Sequence, residues 1–442
     1  MYTRGVRTLR IQNGRVLRPD HTTERADLLI DQADGTISEV VDGGTDGDAD
    51  PDETVVDATD GIVMPGLINA HTHVAMTLLR GFAEDEPLES WLNEVVWPVE
   101  AALKPADVRA GARLGIAEMI RSGITTFSDM YFEASETADV VEAAGVRATL
   151  GHTAISVGKD PEAAHSDMKR SIETAAAVDG RADGRIGATV QPHSTSTVGR
   201  EYLESHVPTA RSDGYPLHYH TNESKREVEE LVESTGKRPI AYADDLDMLR
   251  SGDLLAHCIH VDETEVELLA ERDVTVVHNP AANMKVASGI APVTRLREAG
   301  VRVALGTDGP ASNNDLDLFD EMCDAAMSAK VDTGNAAALP AEAVIDMATK
   351  NGAAALGIDG GRIEPGRVAD VIVVDTSEPK FGPGHDPVTD LVYTANGNDV
   401  RHTICDGEVL MRDRELLTID VDRAKSEAAR RAERLFERAG VA

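Results

Sequence analysis

Between residues 66 and 355 the chain alternates short apolar runs with longer helical stretches, and this alternation constrains its fold more than any other feature. The runs include "GITTFSDM", "RATLGHTA", "IGATVQPH", "PLHYHTN", "DLLAHCIH", "VTVVHNP" and "VRVALGTDG". With "IVMPGLINAHTH" as the first strand, eight strand-like units are countable. Helices such as "PADVRAGARLGIAEMIRSG", which opens on proline and closes on glycine, lie between them. Strands alternating with helices predict a parallel sheet, and eight such units predict a closed (β/α)8 barrel.

The flanking segments read differently. "TLRIQNGRVL", "ADLLIDQADGTISEVVDG" and "ETVVDATDGIVMPG" are short strands with Asn-Gly and Asp-Gly turns. Strand signals return at "VADVIVVD" and "VRHTICDGEVLM", and the tail "DVDRAKSEAARRAERLFERAG" predicts a helix capped by Asp420. The expected organisation is a β domain from residues 1–65 with 356–415, a barrel over 66–355, and a C-terminal helix over 416–442. Residues 42–53 read as an acidic, glycine-containing loop.

Net charge is −35, from 78 acidic and 43 basic residues. That balance repels nucleic acid and anionic lipid, and its self-repulsion needs salt to screen it, as in a halophile. There is no apolar run of membrane-spanning length and no secretory h-region at "MYTRGVRTLR". Three scattered cysteines, Cys258, Cys323 and Cys405, fit a reducing cytoplasm.

Histidine placement carries the functional signal. Of fourteen histidines, His71, His73, His152, His193, His218, His220, His257 and His278 fall at the carboxyl ends of the expected barrel strands, the face on which barrel active sites are built. Strand alternation points His71 and His73 the same way, and likewise His218 and His220. Buried imidazoles need partners, and one cation satisfies several. His71, His73, His220 and Asp308 of "GTDG" offer nitrogen and carboxylate without thiolate, a set suited to zinc, with iron the alternative. Such a cation makes bound water acidic enough to attack at neutral pH. Glu223, three residues beyond His220, is placed to carry a proton; a helix N-terminal glutamate is the plainer reading. His257 is placed to hydrogen-bond the attacking water or to serve as a satisfied core histidine. Cys258 should face away from it, and His260 reads as an ordinary loop residue.

Taken together, "PGLINAHTHVAMTLLRG", "HYHTNES", "LAHCIH", "HNPAANMKVASGIAPV" and "GTDGPASNNDLDLF" resemble the amidohydrolase superfamily, and most closely its methylthioadenosine/S-adenosylhomocysteine deaminases. The resemblance spans nearly the whole chain. It implies a distorted TIM barrel with a small β-sandwich from both chain ends, and hydrolytic deamination of an adenine nucleoside. His71, His73, His220 and Asp308 then correspond to the metal ligands, Asp308 also accepting the water's proton. Glu223 corresponds to the residue that protonates the purine, and His257 to the one that orients the attacking water. His193 corresponds to the ring-binding histidine. Trp91 matches an aromatic wall, Glu100 a carboxylate holding the ribose hydroxyls, and Ser312 a serine near the ribose end. A core aromatic is the other reading of Trp91, and a surface helix glutamate that of Glu100.

No lysine ends the fourth strand, which implies one metal rather than two. "QPHSTST" departs from the subgroup's "GPHAPYT". No arginine for an amino-acid tail is identifiable in "GHTAISVGKDPEAAHSDMKR", where only Lys159, Lys169 and Arg170 are near, so neutral 5'-substituted adenosines are the expected substrates. Two rivals remain: an aminohydrolase or chlorohydrolase acting on cytosine, guanine or s-triazine rings, and a non-catalytic nucleoside-binding protein. The expected partners are a small purine nucleoside and further copies of the chain, with no nucleic acid and no membrane.

Overall fold

A computed structural model describes residues 8–43, 53–82, 85 and 90–441; most of the expected acidic loop at 42–53 lies outside them. The alternating apolar runs form eight parallel strands, in two halves. In one half, Leu67–Thr72 pairs with Ile124–Tyr131, which pairs with Arg147–Ala154. Arg147–Ala154 in turn pairs with the fourth strand, which comes as two short pieces, Ile186–Ala188 and Gln191–Pro192. The other half runs His218–Thr221, Leu254–His257, Thr275–His278, Arg302–Leu305. Bridges Thr72–Asp308, Val190–Leu217 and Ser194–His220 join the halves into a barrel. Ala70, Leu254, Val277 and Ala304, from four of these strands, form a separate small apolar cluster with Ala355, while the larger side chains pack between strands and helices.

The segment "IVMPGLINAHTH" is not one strand. Gly61–Pro65 belongs to the sheet of the chain ends, and Leu67–Thr72 to the barrel. Gly66 is the crossing point: a Cβ there would lie 2.2 Å from Thr125 Oγ1, so only glycine lets the backbone pass between the two sheets at that distance.

Among the described residues the end sheet has ten strands and draws on both ends of the chain. Val371–Asp375 lies antiparallel to Gly61–Pro65, with Val371 opposite Pro65. Leu9, Ile11, Leu28 and Ile30 pack with Val371 and Ile404 in its core. Val400–Cys405 and Glu408–Arg412 form a hairpin across Asp406-Gly407, both at positive φ, as the Asp-Gly signal requires.

The last helix, Val421–Ala439, starts at Asp420, whose side chain accepts the Arg423 N–H. It buries Ala428 and Leu435 in a cluster with Trp91, Val96 and Val99, and Phe436 stacks on Phe82 with ring centroids 4.5 Å apart. The chain's end thus braces the segment that walls the barrel mouth. Among the described residues, no helix is long and apolar enough to cross a membrane.

Candidate active site

The junction of the last and first barrel strands is fixed by a small polar network. Asn69 Oδ1 accepts the Thr307 N–H at 3.1 Å, and Asn69 Nδ2 donates to Thr307 Oγ1 at 2.8 Å. Gly306 lies so close that a Cβ would sit 2.9 Å from the His71 nitrogen. The Asp308 N–H then reaches the His71 carbonyl at 3.1 Å, and Asp308 adopts φ 57°. Asn222, His257 and Cys258 also take positive φ, at 54°, 73° and 47°. Left-handed backbone at non-glycine residues is strained and gathers where side chains must be aimed.

That geometry brings His71, His73, His220 and Asp308 together, with one donor atom of each within 4.8 Å of all the others. All four residues are buried. Asp308 Oδ1 lies 3.1 Å from His73 Nε2 and 3.4 Å from His71 Nε2. His71 Nε2 is wholly buried yet has no aligned hydrogen-bond partner, an orphaned lone pair facing a carboxylate and two more imidazoles. This donor set fits a single divalent cation. The outer nitrogens are spoken for: His71 Nδ1 meets His218 Nε2 at 2.8 Å, His220 Nδ1 meets the His193 carbonyl at 2.9 Å, and His73 Nδ1 meets the Met130 carbonyl. Such partners would fix which nitrogen faces a bound ion. Burial lowers the His71 imidazole to about 4, so it stays neutral with its lone pair free. Burial alone would raise the Asp308 carboxyl, but His71 and His73 hold it well below its usual range.

Above these donors, His257 Nε2 lies 3.8 Å from Glu223 Oε2. Asn283 Oδ1, 2.8 Å from His257 Nδ1, turns the ring that way. Ser312 Oγ donates to Asp308 Oδ2 at 2.7 Å, a contact with the carboxylate itself that the sequence did not suggest. His193 meets Thr197 Oγ1 through Nδ1 at 2.9 Å, and burial lowers it to about 3. Cys258 is buried in the main core, and His260 bonds the Ser288 carbonyl at 2.8 Å.

His73, His193, His220, Glu223, His257, Asp308 and Ser312 line one cleft enclosing about 630 Å³, its open mouth included. Trp91 and Glu100 line it too, on the segment braced by the last helix. One Glu100 oxygen is wholly buried without a hydrogen-bond partner, and burial pushes that carboxyl up to about 7 against the pull of Tyr131.

Sequence reasoning missed four contributors. Trp97 stands in the quoted "ESWLNEVVWPVE", and its ring lies 6.3 Å from that of His193. Tyr131 ends the second strand and lines the cleft. His218 is the unassigned half of the second histidine pair. Asn283 stands in the quoted "HNPAANM", and nothing local marks it.

The amidohydrolase family model matches residues 62–410. The chain is 56% identical to a 5-methylthioadenosine/S-adenosylhomocysteine deaminase of Haloarcula marismortui, covering 98% of this chain and 99% of that one. It is 46% identical to a 5'-deoxyadenosine deaminase of Methanosarcina acetivorans, covering 92% and 93%. Among solved structures, an adenosine deaminase from Xanthomonas campestris with bound zinc superposes with a TM-score of 0.91 at 36% identity, covering 97% of this chain and 98% of that one. With a buried three-histidine, one-aspartate donor set at the mouth of its barrel, this chain belongs to the amidohydrolase family.

Proposed function

We propose that the protein is a metal-dependent hydrolase that deaminates adenine nucleosides bearing neutral 5' groups, such as 5'-methylthioadenosine or 5'-deoxyadenosine, to the inosine analogue and ammonia. The observation that carries this reading is the Glu223–His257 pair standing over the buried donor set in a cleft walled by aromatic rings. The deaminase relatives support the substrate class.

His71, His73, His220 and Asp308 would hold one metal. Zinc suits three imidazoles and a carboxylate, and zinc is bound in the similar Xanthomonas structure. When bound, it would act as a Lewis acid that makes water nucleophilic at neutral pH. A second metal is not needed: Gln191 stands in the last piece of the fourth strand, and its amide is committed to the Asp129 carbonyl at 2.8 Å and Thr189 at 2.9 Å.

The remaining work belongs to the side chains. Asp308 accepts a proton from the attacking water, while Ser312 steadies its other oxygen. His257 orients that water. Glu223 hands a proton to the purine N1, which makes C6 electrophilic; the proton taken by Asp308 passes to the exocyclic nitrogen, and the C6–N bond breaks with loss of ammonia as the C6–O bond becomes a carbonyl. Trp91, Trp97 and His193 flank the ring, and the buried oxygen of Glu100 accepts from the ribose hydroxyls.

No lysine or arginine lines the cleft among the described residues. The cations nearest in sequence are engaged elsewhere: Lys159 with Asp167 at 2.6 Å, Lys169 with Glu173 at 3.1 Å, and Arg170 with Glu133 at 2.6 Å. A charged amino-acid tail therefore meets no counter-charge among the described residues, which favours the neutral 5' substituents.

The test is ammonia release from a panel of purine nucleosides, cytosine, guanine and s-triazines in concentrated KCl. The reading expects adenine nucleosides to react, with S-adenosylhomocysteine slower than 5'-methylthioadenosine. Turnover of triazines or cytosine alone would replace it with the rival hydrolase.

A further inference from the structure

A second cleft opens beside the first. Trp97, His193, His220 and Glu223 border both spaces. The first is walled mainly by aromatic and apolar groups; the second is lined by Ser194, Ser196, Arg226, Glu227 and Glu230 and encloses about 730 Å³, its open mouth included. Arg226 is paired with Glu230 at 2.7 Å, so the guanidinium is balanced locally. Glu227 Oε2 accepts the Glu223 N–H at 2.9 Å, and its other oxygen accepts from Ser196 Oγ at 3.4 Å. The residue assigned proton transfer thus stands on the partition between an aromatic cleft and a polar one.

We propose that the polar cleft is the port by which water enters and ammonium leaves, while the nucleoside uses the aromatic cleft. This rests on the deaminase reading above. In that reaction the water oxygen bonds to C6, one water hydrogen ends on N1, the other on the departing amine, and ammonia takes a further proton from solvent. With the product filling the aromatic cleft, ammonia formed at the donor set has its way out barred on that side. The polar cleft meets the same floor at His220 and Glu223, and its hydroxyls and carboxylates suit a small hydrated cation far better than a purine. A chain of net charge −35 also draws ammonium outward.

Two substitutions fill this cleft at exposed positions, Ser196→Trp and Glu230→Trp. Each is assayed on the metal-loaded enzyme with 5'-methylthioadenosine, with ammonium chloride replacing KCl at equal ionic strength. In the wild type, ammonium should lower kcat without raising KM. In either variant kcat should fall about tenfold with kcat/KM unchanged, as when release becomes limiting, and with metal content and affinity for the inosine product unchanged. Ammonium that is without effect or raises KM alone, or two tryptophan variants turning over at the wild-type rate, would overturn the port. A wild type that deaminates no nucleoside defeats the deaminase reading instead; an active wild type with neutral variants defeats only the port.

Discussion

Replacing His218 by leucine should weaken metal binding without touching any residue of the donor set. His218 is fully buried, and its Nε2 lies 2.8 Å from His71 Nδ1, which must carry the proton if His71 Nε2 is to face a cation, while its Nδ1 faces Ser128 Oγ at 3.2 Å. That chain assigns the His71 tautomer and keeps the Nε2 lone pair toward the cation. Leucine removes the acceptor and leaves a buried N–H without a partner, which costs about 1–3 kcal/mol. Loss of a group that orients a ligand typically weakens metal affinity about 10–100-fold, or about 1.4–2.8 kcal/mol. His218→Gln, whose amide oxygen can still accept from His71, should recover most of that loss. Zinc affinity measured by competition with a chromophoric chelator reads both variants, with circular dichroism as the check on folding. Wild-type affinity in His218→Leu, with the fold intact, would refute the reasoning that His71 is a ligand oriented from behind.

Other substitutions separate the remaining roles. Glu223→Gln should retain metal and fold yet lose deamination by about 10²–10⁴-fold in kcat, the usual worth of a positioned acid–base group. Glu100→Gln should leave metal content unchanged and raise KM for nucleosides far more than for the free base. Arg211→Met should destabilise the fold by about 3–5 kcal/mol in chemical denaturation, because Asp253, fully buried, loses its 2.6 Å partner. His278→Leu addresses pH: burial lowers this imidazole from 6.5 to about 3, so the unfolded chain binds its proton first. The stability His278 withholds from protonation is therefore lost as pH falls from about 6.5 toward 3. The Tm of His278→Leu relative to wild type should rise across that window, and a constant difference would refute the assignment.

What the sequence revealed was set by period and position. The barrel was legible because each strand announces itself locally, and the ligand candidates because His71 and His73 share a strand face and fall at its carboxyl end. What escaped depends on contacts between distant residues. His218 gains its role only by meeting His71, 147 positions away, and Asn283 only by facing His257 from the next βα loop. The break of "IVMPGLINAHTH" at Gly66 reflects the approach of Thr125, which no local pattern signals. Trp97 went unassigned because its neighbourhood contains a π-helical turn, Trp91–Val96, which shifts side chains off the ordinary helical period.

The central claim is that one divalent metal, held by His71, His73, His220 and Asp308, is required for deamination. Titrating zinc into chelator-stripped protein while following ammonia release from 5'-methylthioadenosine in concentrated KCl tests it directly. The account predicts no release from the stripped chain and full activity at one equivalent of zinc per chain. Undiminished release without metal, or a plateau only at two equivalents, would contradict it.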